Sequence, residues 1–258
     1  MKRRYLCLFA VIGFASFAQS PEQGKEEALP KAETILDRYV EVTGGKSAYE
    51  KRKNEVATGT LEFKAQGLKG SITRYSAEPA EEYLIMEIDG VGKIESGMSH
   101  GVAWDKNPML GPRIKSGAER AQALREGTFN ASVHWRDFYP KVETTGTETI
   151  DGELCYKVVL TPKEGNPETT YYQKKSGLAV KTTTVAVSPM GDVPFEVVTG
   201  EYKTFGGVTL PTKITQKAAG QEFSLTIQDV KINQPVPADR FEPPAEIKAL
   251  LSKAAEKK

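Results

Sequence analysis

Two histidines, one cysteine beyond the N-terminal stretch and a Gly-Lys-Ser tripeptide are the residues with the plainest chemical potential in this sequence. His100 and His134 belong to no metal-binding spacing, such as a pair at i, i+4 or a Cys/His cluster, so no metal site is expected. His134, beside Trp135, reads as a packed helix residue, and His100 as a turn residue before Gly101. Gly45-Lys46-Ser47 looks like the tail of a phosphate-binding loop. That loop needs a glycine where Val40 stands, and a strand before it where the pattern is helical. The glycines read instead as a helix stop. Gly90-Val91-Gly92-Lys93 fails too, because Ile94 replaces the hydroxyl residue, and it reads as a turn. Neither G-x-S-x-G nor S-x-x-K occurs. Carboxylates are plentiful, but nothing singles out two for acid/base work. No catalytic residue and no cofactor are assigned, and no enzyme is expected. Cys155 lies on the mixed face of a strand with nothing nearby to lower its pKa, and is expected to be structural.

Apolar residues in a strand period are the stronger signal. Leu84, Met86 and Ile88 share one face of a run; Leu154, Tyr156 and Val158 share another, and Phe223, Leu225 and Ile227 a third. Trp104, Trp135 and Phe138 add aromatic surface, with Tyr139 beside them. These twelve lipid-cavity candidates, Trp135 and Phe138 among them as part of a lid, could line a hydrophobic cavity; the alternative is plain core packing. A sheet with one apolar face must cover it.

The elements that must position them follow in order. Ala32, Ile35, Leu36, Tyr39 and Val40 predict an amphipathic helix ending at Gly44, and Ala48 and Tyr49 a second, short one. From Asn54 the period changes to two. Strands are expected at Val56–Phe63, Ser71–Ser76, Tyr83–Ile88, Lys93–Met98 and Gly101–Trp104. A helical insert then spans 115–140. Ser116-Gly117-Ala118-Glu119 reads as a capping box, and Asn130 as the cap of a short helix ended by Pro140. From Gly146 to Asn233 short β-rich runs alternate with turns as an antiparallel meander, Asp151-Gly152 being its strongest hairpin signal. Ala245 to Ser252 predicts a terminal helix with a frayed tail at 253–258. The fold class is α+β: a strongly curved, antiparallel, half-open β-barrel of about 11 strands, with helices on its concave side.

The chain has 258 residues. Lys2, Arg3 and Arg4 precede an apolar run from Tyr5 to Phe17, with small residues up to Ala18, so residues 1–18 read as a cleavable signal peptide and 19–29 as a flexible leader. Cleavage removes three of 35 basic and none of 34 acidic side chains. The remainder is not basic, which argues against nucleic acid as a partner. A periplasmic location is expected, and only Cys155 is left after cleavage, so no internal disulfide can form.

Gly101-Val102-Ala103-Trp104, Gly111-Pro112-Arg113 and Ser116 to Glu119 resemble the middle of bacterial outer-membrane lipoprotein-sorting-like proteins, the LolA/LolB-like superfamily. Lys174-Lys175-Ser176-Gly177-Leu178, Tyr202 to Pro211, and the closing Asn233, Pro235 and Phe241 are similar to that family's recurrent turns. The resemblance runs from about Ile35 to Pro244. It implies a single LolA/LolB-like domain over 30–252, with helices as a lid over a hydrophobic cavity. It further implies a carrier or chaperone for a lipid or lipoprotein acyl chain, with transient membrane or envelope-protein contact. The alternative is an envelope interaction or sensor module whose core is filled by its own helices.

Overall fold

The computed structural model describes residues 28–188 and 191–256. The expected signal peptide, and the leader up to residue 27, lie outside the described residues. Helix α1 (Ala32–Val42) forms where the apolar spacing places it, with Ala32, Ile35 and Leu36 buried and Glu33, Arg38 and Glu41 exposed. It stops at Gly44, whose φ of 131° and whose hypothetical Cβ, 2.4 Å from the Gly207 carbonyl oxygen, both demand glycine. Helix α2 (Gly45–Lys51) follows at once, so the Gly-Lys-Ser tripeptide is its first turn.

Six strands come next: β1 (Asn54–Phe63), β2 (Leu68–Ala77), β3 (Glu81–Ile88), β4 (Gly92–Ser99), β5 (Val102–Asn107) and β6 (Gly111–Ile114). A helical segment then holds α3 (Gly117–Gly127), a 3-10 turn (Ala131–His134) and the single turn α4 (Trp135–Phe138). Seven more strands complete the sheet: β7 (Lys141–Ile150), β8 (Glu153–Thr161), β9 (Glu168–Gln173), β10 (Ala179–Ala186), β11 (Val193–Phe205), β12 (Val208–Ala218) and β13 (Gln221–Ile232). A 3-10 turn (Ala238–Phe241) leads to α5 (Ala245–Ala255), which runs past Ser252. The described sheet thus has 13 strands, not about eleven. β6 escapes a sequence reading because it is short and carries Pro112, which a strand tolerates at an edge.

All pairings are antiparallel, in the order β6-β5-β4-β3-β2-β1-β13-β12-β11-β10-β9-β8-β7. The sheet is curved and unclosed: β6 and β7 are its edges, and β1 meets β13 in its middle. The β7–β8 hairpin turns on Asp151 (φ 48°) and Gly152 (φ 83°), the backbone of a type I′ turn. The segment α3–α4 crosses from one edge strand to the other.

Register separates the two faces. Ile72, Met86 and Ile94 form one cross-strand row on the inner face. Tyr75, Tyr83, Gly97 and Trp104 form a row on the outer face. Helices α1, α3 and α4 stand over the inner face. Helix α5 does not: Glu246 takes a 2.6 Å bond from Lys106 Nζ, and Arg240 before it stacks on Tyr75 at 4.6 Å, both partners on the outer face. The expectation of helices on the concave side therefore holds for the first two helical groups and not for the last.

Both expected side-chain caps fail. Ser116 makes no capping bond, because Glu119 turns to Arg113, whose Nη1 donates to it at 2.8 Å. Asn130 sits in the left-handed region (φ 55°), and its amide nitrogen donates to the Tyr49 carbonyl at 2.9 Å. It ties the helical segment to α2 instead of starting a helix.

Candidate functional site: an apolar cavity under a helical strap

On the inner face, α1 and the α3–α4 segment roof a cavity of 560 Å³ over β8 to β12. Small-molecule sites span roughly 300–1,000 Å³. Leu36 and Tyr39 from α1, Trp135 and Phe138 from α4, and Phe195 and Val197 from β11 give it apolar walls. The roof is held at both ends. Arg136 grips Asp37 of α1 through two bonds of 2.8 and 2.7 Å, and Trp135 Nε1 donates to the same carboxylate at 3.3 Å. At the other end Arg113 joins Asp105 and Glu119, fastening α3 to β5 and β6.

Ser132, Thr182, Thr184 and Gln216 are uncharged polar residues of its lining; the buried charged groups lie together. Glu168 on β9 accepts a bond from the Tyr139 hydroxyl. Burial raises its pKa, with Tyr139 and the Arg125 guanidinium opposing the rise. Arg125 is only 8 % exposed, its guanidinium 5.7 Å from the centre of the Tyr139 ring.

Beyond β12 the inner face continues over β13 and β1 to β3 as a cluster without helix residues. Leu84, Met86, Ile88, Phe223, Leu225 and Ile227 meet there with Leu61 and Ile72 in a cluster built of strand residues. A depression of 180 Å³ indents it beside Ile72, Leu225 and Ile227. Ile214 belongs to this patch and Gln216, on the same face of β12, to the main cavity, so the two regions adjoin.

The remaining sequence candidates fall differently. Trp135 and Phe138 line the cavity. Val158 and Tyr156 lie under α1 in a cluster with Leu36, Trp135, Leu160 and Tyr172, and Val158 is wholly buried, which makes it core and not wall. Leu154 shares their phase but sits beside the hairpin turn, beyond the reach of the helices, and is 44 % exposed. Trp104 is 1 % exposed on the outer face, 5.8 Å from the Tyr83 ring, and lines no part of the cavity. Its strand, Val-Ala-Trp-Asp-Lys-Asn, puts Val102 and Trp104 on one face and Ala103, Asp105 and Asn107 on the other, but the pattern alone does not say which face is the inner one.

Cys155 is fully buried on the face opposite Val158, and burial pushes its thiol pKa up, as a structural cysteine requires. His134 is not packed: its ring is half exposed, 3.4 Å from Asp137. His100 occupies the β4–β5 turn at φ 49°. Among the described residues no group of His, Cys, Asp or Glu side chains is placed to hold a metal ion.

Sequence reading missed Arg125, Tyr172 and Glu168, while Tyr139, read with Trp135 and Phe138 as one aromatic face, does line the cavity. For Arg125 a signal existed: it follows Ala121 by one helical turn, on the apolar stripe of α3.

No family model and no curated protein matches the chain. Among solved structures, a DUF1329 family protein from Desulfovibrio piger is similar over 83 % of this chain and 98 % of its own, at 16 % identity and a TM-score of 0.57. A LolA superfamily protein from Nitrosomonas europaea matches 83 % of this chain and 99 % of its own, at 14 % identity and 0.55. A domain named for outer membrane lipoprotein sorting, from Vibrio parahaemolyticus, matches 85 % and 99 %, also at 14 % and 0.55. At such identities the likeness concerns the fold, and the chain has a LolA-like fold.

Proposed function

We propose that this LolA-like fold serves as an exported, non-catalytic carrier that shields an acyl chain of a lipid or lipoprotein. One observation carries the reading. The 560 Å³ cavity is walled mostly by apolar side chains and adjoins an apolar cluster of strand residues, so an extended ligand has somewhere to run. Burying apolar surface is worth roughly 25 cal/mol per Å², enough to hold a chain reversibly without chemistry. Trp135 and Phe138 would form the roof; Leu84, Met86, Phe223, Leu225 and Ile227 would form the sheet extension, where a flexible Met86 suits an irregular guest. The lipoprotein-sorting name of the Vibrio parahaemolyticus domain agrees with this reading. Residues 1–18 would direct export to the periplasm and be removed, leaving one domain over 30–252 with its insert at 115–140. Transient contact with a membrane or envelope protein would deliver the cargo.

Native mass spectrometry of protein extracted from membranes tests this, together with uptake of a fluorescent fatty acid. A retained acyl-chain mass, or saturable uptake, is the expected result. A chain that arrives empty and takes up nothing overturns it. That outcome would favour an envelope sensor or interaction module, a reading supported by the filled core beneath α1, where Val158 and Leu160 are already covered.

A further inference from the structure

A buried charge without an ion-pair contact marks one point of the cavity wall. Arg125 is 8 % exposed, and among the described residues no carboxylate lies within ion-pair distance of it. Its Nη1 donates to the Glu164 carbonyl at a long 3.4 Å, and its buried Nε has no partner. Leaving a buried cation so weakly matched costs several kcal/mol. Glu168 acts on it through space and not by direct contact, its carboxyl pKa raised by burial and pulled down by Tyr139 and Arg125. Tyr139 offers its π face, 5.7 Å away at the ring centre, and a neutral hydroxyl, neither of which cancels the charge.

The position of Arg125 adds the second half of the argument. With Phe138 it lines the main cavity and also an outer depression of 430 Å³, framed by α3 and the β8–β9 loop. Arg120 and Lys163 stand around that depression, with the acidic Asp137 and Glu164 also on its rim. Arg120 Nε is bonded to the Gly101 carbonyl at 2.8 Å, and Asp137 faces His134. An amphiphile whose chain fills the apolar cavity would therefore bring its polar end past Phe138 to a guanidinium whose buried Nε has no partner.

We propose that Arg125 anchors an anionic head group, a carboxylate or a phosphate, of a single-chain amphiphile whose tail occupies the main cavity. The inference rests on the carrier reading and specifies its cargo. A guanidinium meets either anion through paired N–H donors, which a neutral alcohol cannot accept as strongly.

The test titrates dodecanoic acid, dodecyl phosphate and dodecanol into the full chain by calorimetry. Hydrogen bonds to charged groups contribute enough for the tighter anion to bind about 10- to 100-fold better than the alcohol. Which anion wins separates a fatty-acid-like cargo from a phosphorylated one. Arg125→Met, similar in length and apolar, should remove the preference and bring anion affinity down to that of the alcohol. Arg125→Lys should retain part of the preference. Equal binding of anions and alcohol by the unsubstituted protein overturns the head-group proposal alone, and needs no variant to fold. So does an Arg125→Met chain, folded by circular dichroism, that loses all three ligands equally. Failure of every ligand to bind overturns the carrier reading and this inference with it.

Discussion

Burial holds the Glu168 carboxyl above its ordinary 4.5, against the pull of Tyr139 and Arg125. The folded chain thus keeps a proton where the unfolded chain has released one. Its stabilising share is full below 4.5 and is lost as the pH rises through the raised folded value. Glu168→Gln should flatten that decline in melting temperature as the pH rises above 4.5; an unchanged slope would show that the carboxyl is not the source. Gly97 carries a different constraint. A Cβ there would lie 2.5 Å from the Trp104 ring, which is locked at 1 % exposure. Gly97→Ala should cost about 1–3 kcal/mol by urea unfolding. Because that clash lies on the outer face, fatty-acid uptake by the folded fraction should not change. Lost uptake at full stability would return Trp104 to the cavity.

At the scale of elements, the roof depends on small polar clasps. Arg136 holds the Asp37 carboxyl below its ordinary 3.8, chiefly by hydrogen bonding, so the pair stabilises the fold above that value and fails as the pH drops through the lowered one. Both side chains are more than half exposed, and solvent screening limits the contribution to below about 1 kcal/mol. Asp37→Asn should therefore barely move global stability while hydrogen exchange in residues 131–139 quickens; exchange identical to the parent would place the clasp elsewhere. Such clasps were not legible in the sequence, since Asp37 and Arg136 are far apart along the chain. Helix α1 was legible because one helix needs only one apolar stripe, as were the hairpins whose turns carry Asp-Gly or Gly-Gly. The face of each strand was legible where one side is polar, as at Leu225 between Ser224 and Thr226. It was not at Trp104, whose apolar face is the outer one, under the C-terminal segment, nor at Leu154, whose phase is right but whose place beside a turn leaves nothing above it. Ser116 and Asn130 have the composition of caps, but stronger partners, Arg113 for Glu119 and the Tyr49 carbonyl for Asn130, claimed the side chains involved.

The whole molecule is two meanders joined twice: through the chain by residues 115–140, and by hydrogen bonds between β1 and β13. A protease site inserted between α3 and the 3-10 turn would cut the first link only. The two pieces should remain one species on size exclusion, since β1–β13 pairing and the packing of α5 on β6 survive, yet release bound fatty acid faster. Separation without denaturant would show that the covalent strap holds the halves together. The β1–β13 junction has a further consequence, in time instead of space. Every other pairing joins strands consecutive in the chain and can form locally, whereas Glu55 must find Ile232. Non-local pairing of this kind is slow because loop entropy is lost before contacts form. Until it closes, β1 offers Leu61 and β13 offers Leu225 on open, bondable borders, a state prone to exchange strands with a second copy. The first strand to emerge from synthesis must wait for the last, and a holding chaperone would find its substrate in that interval.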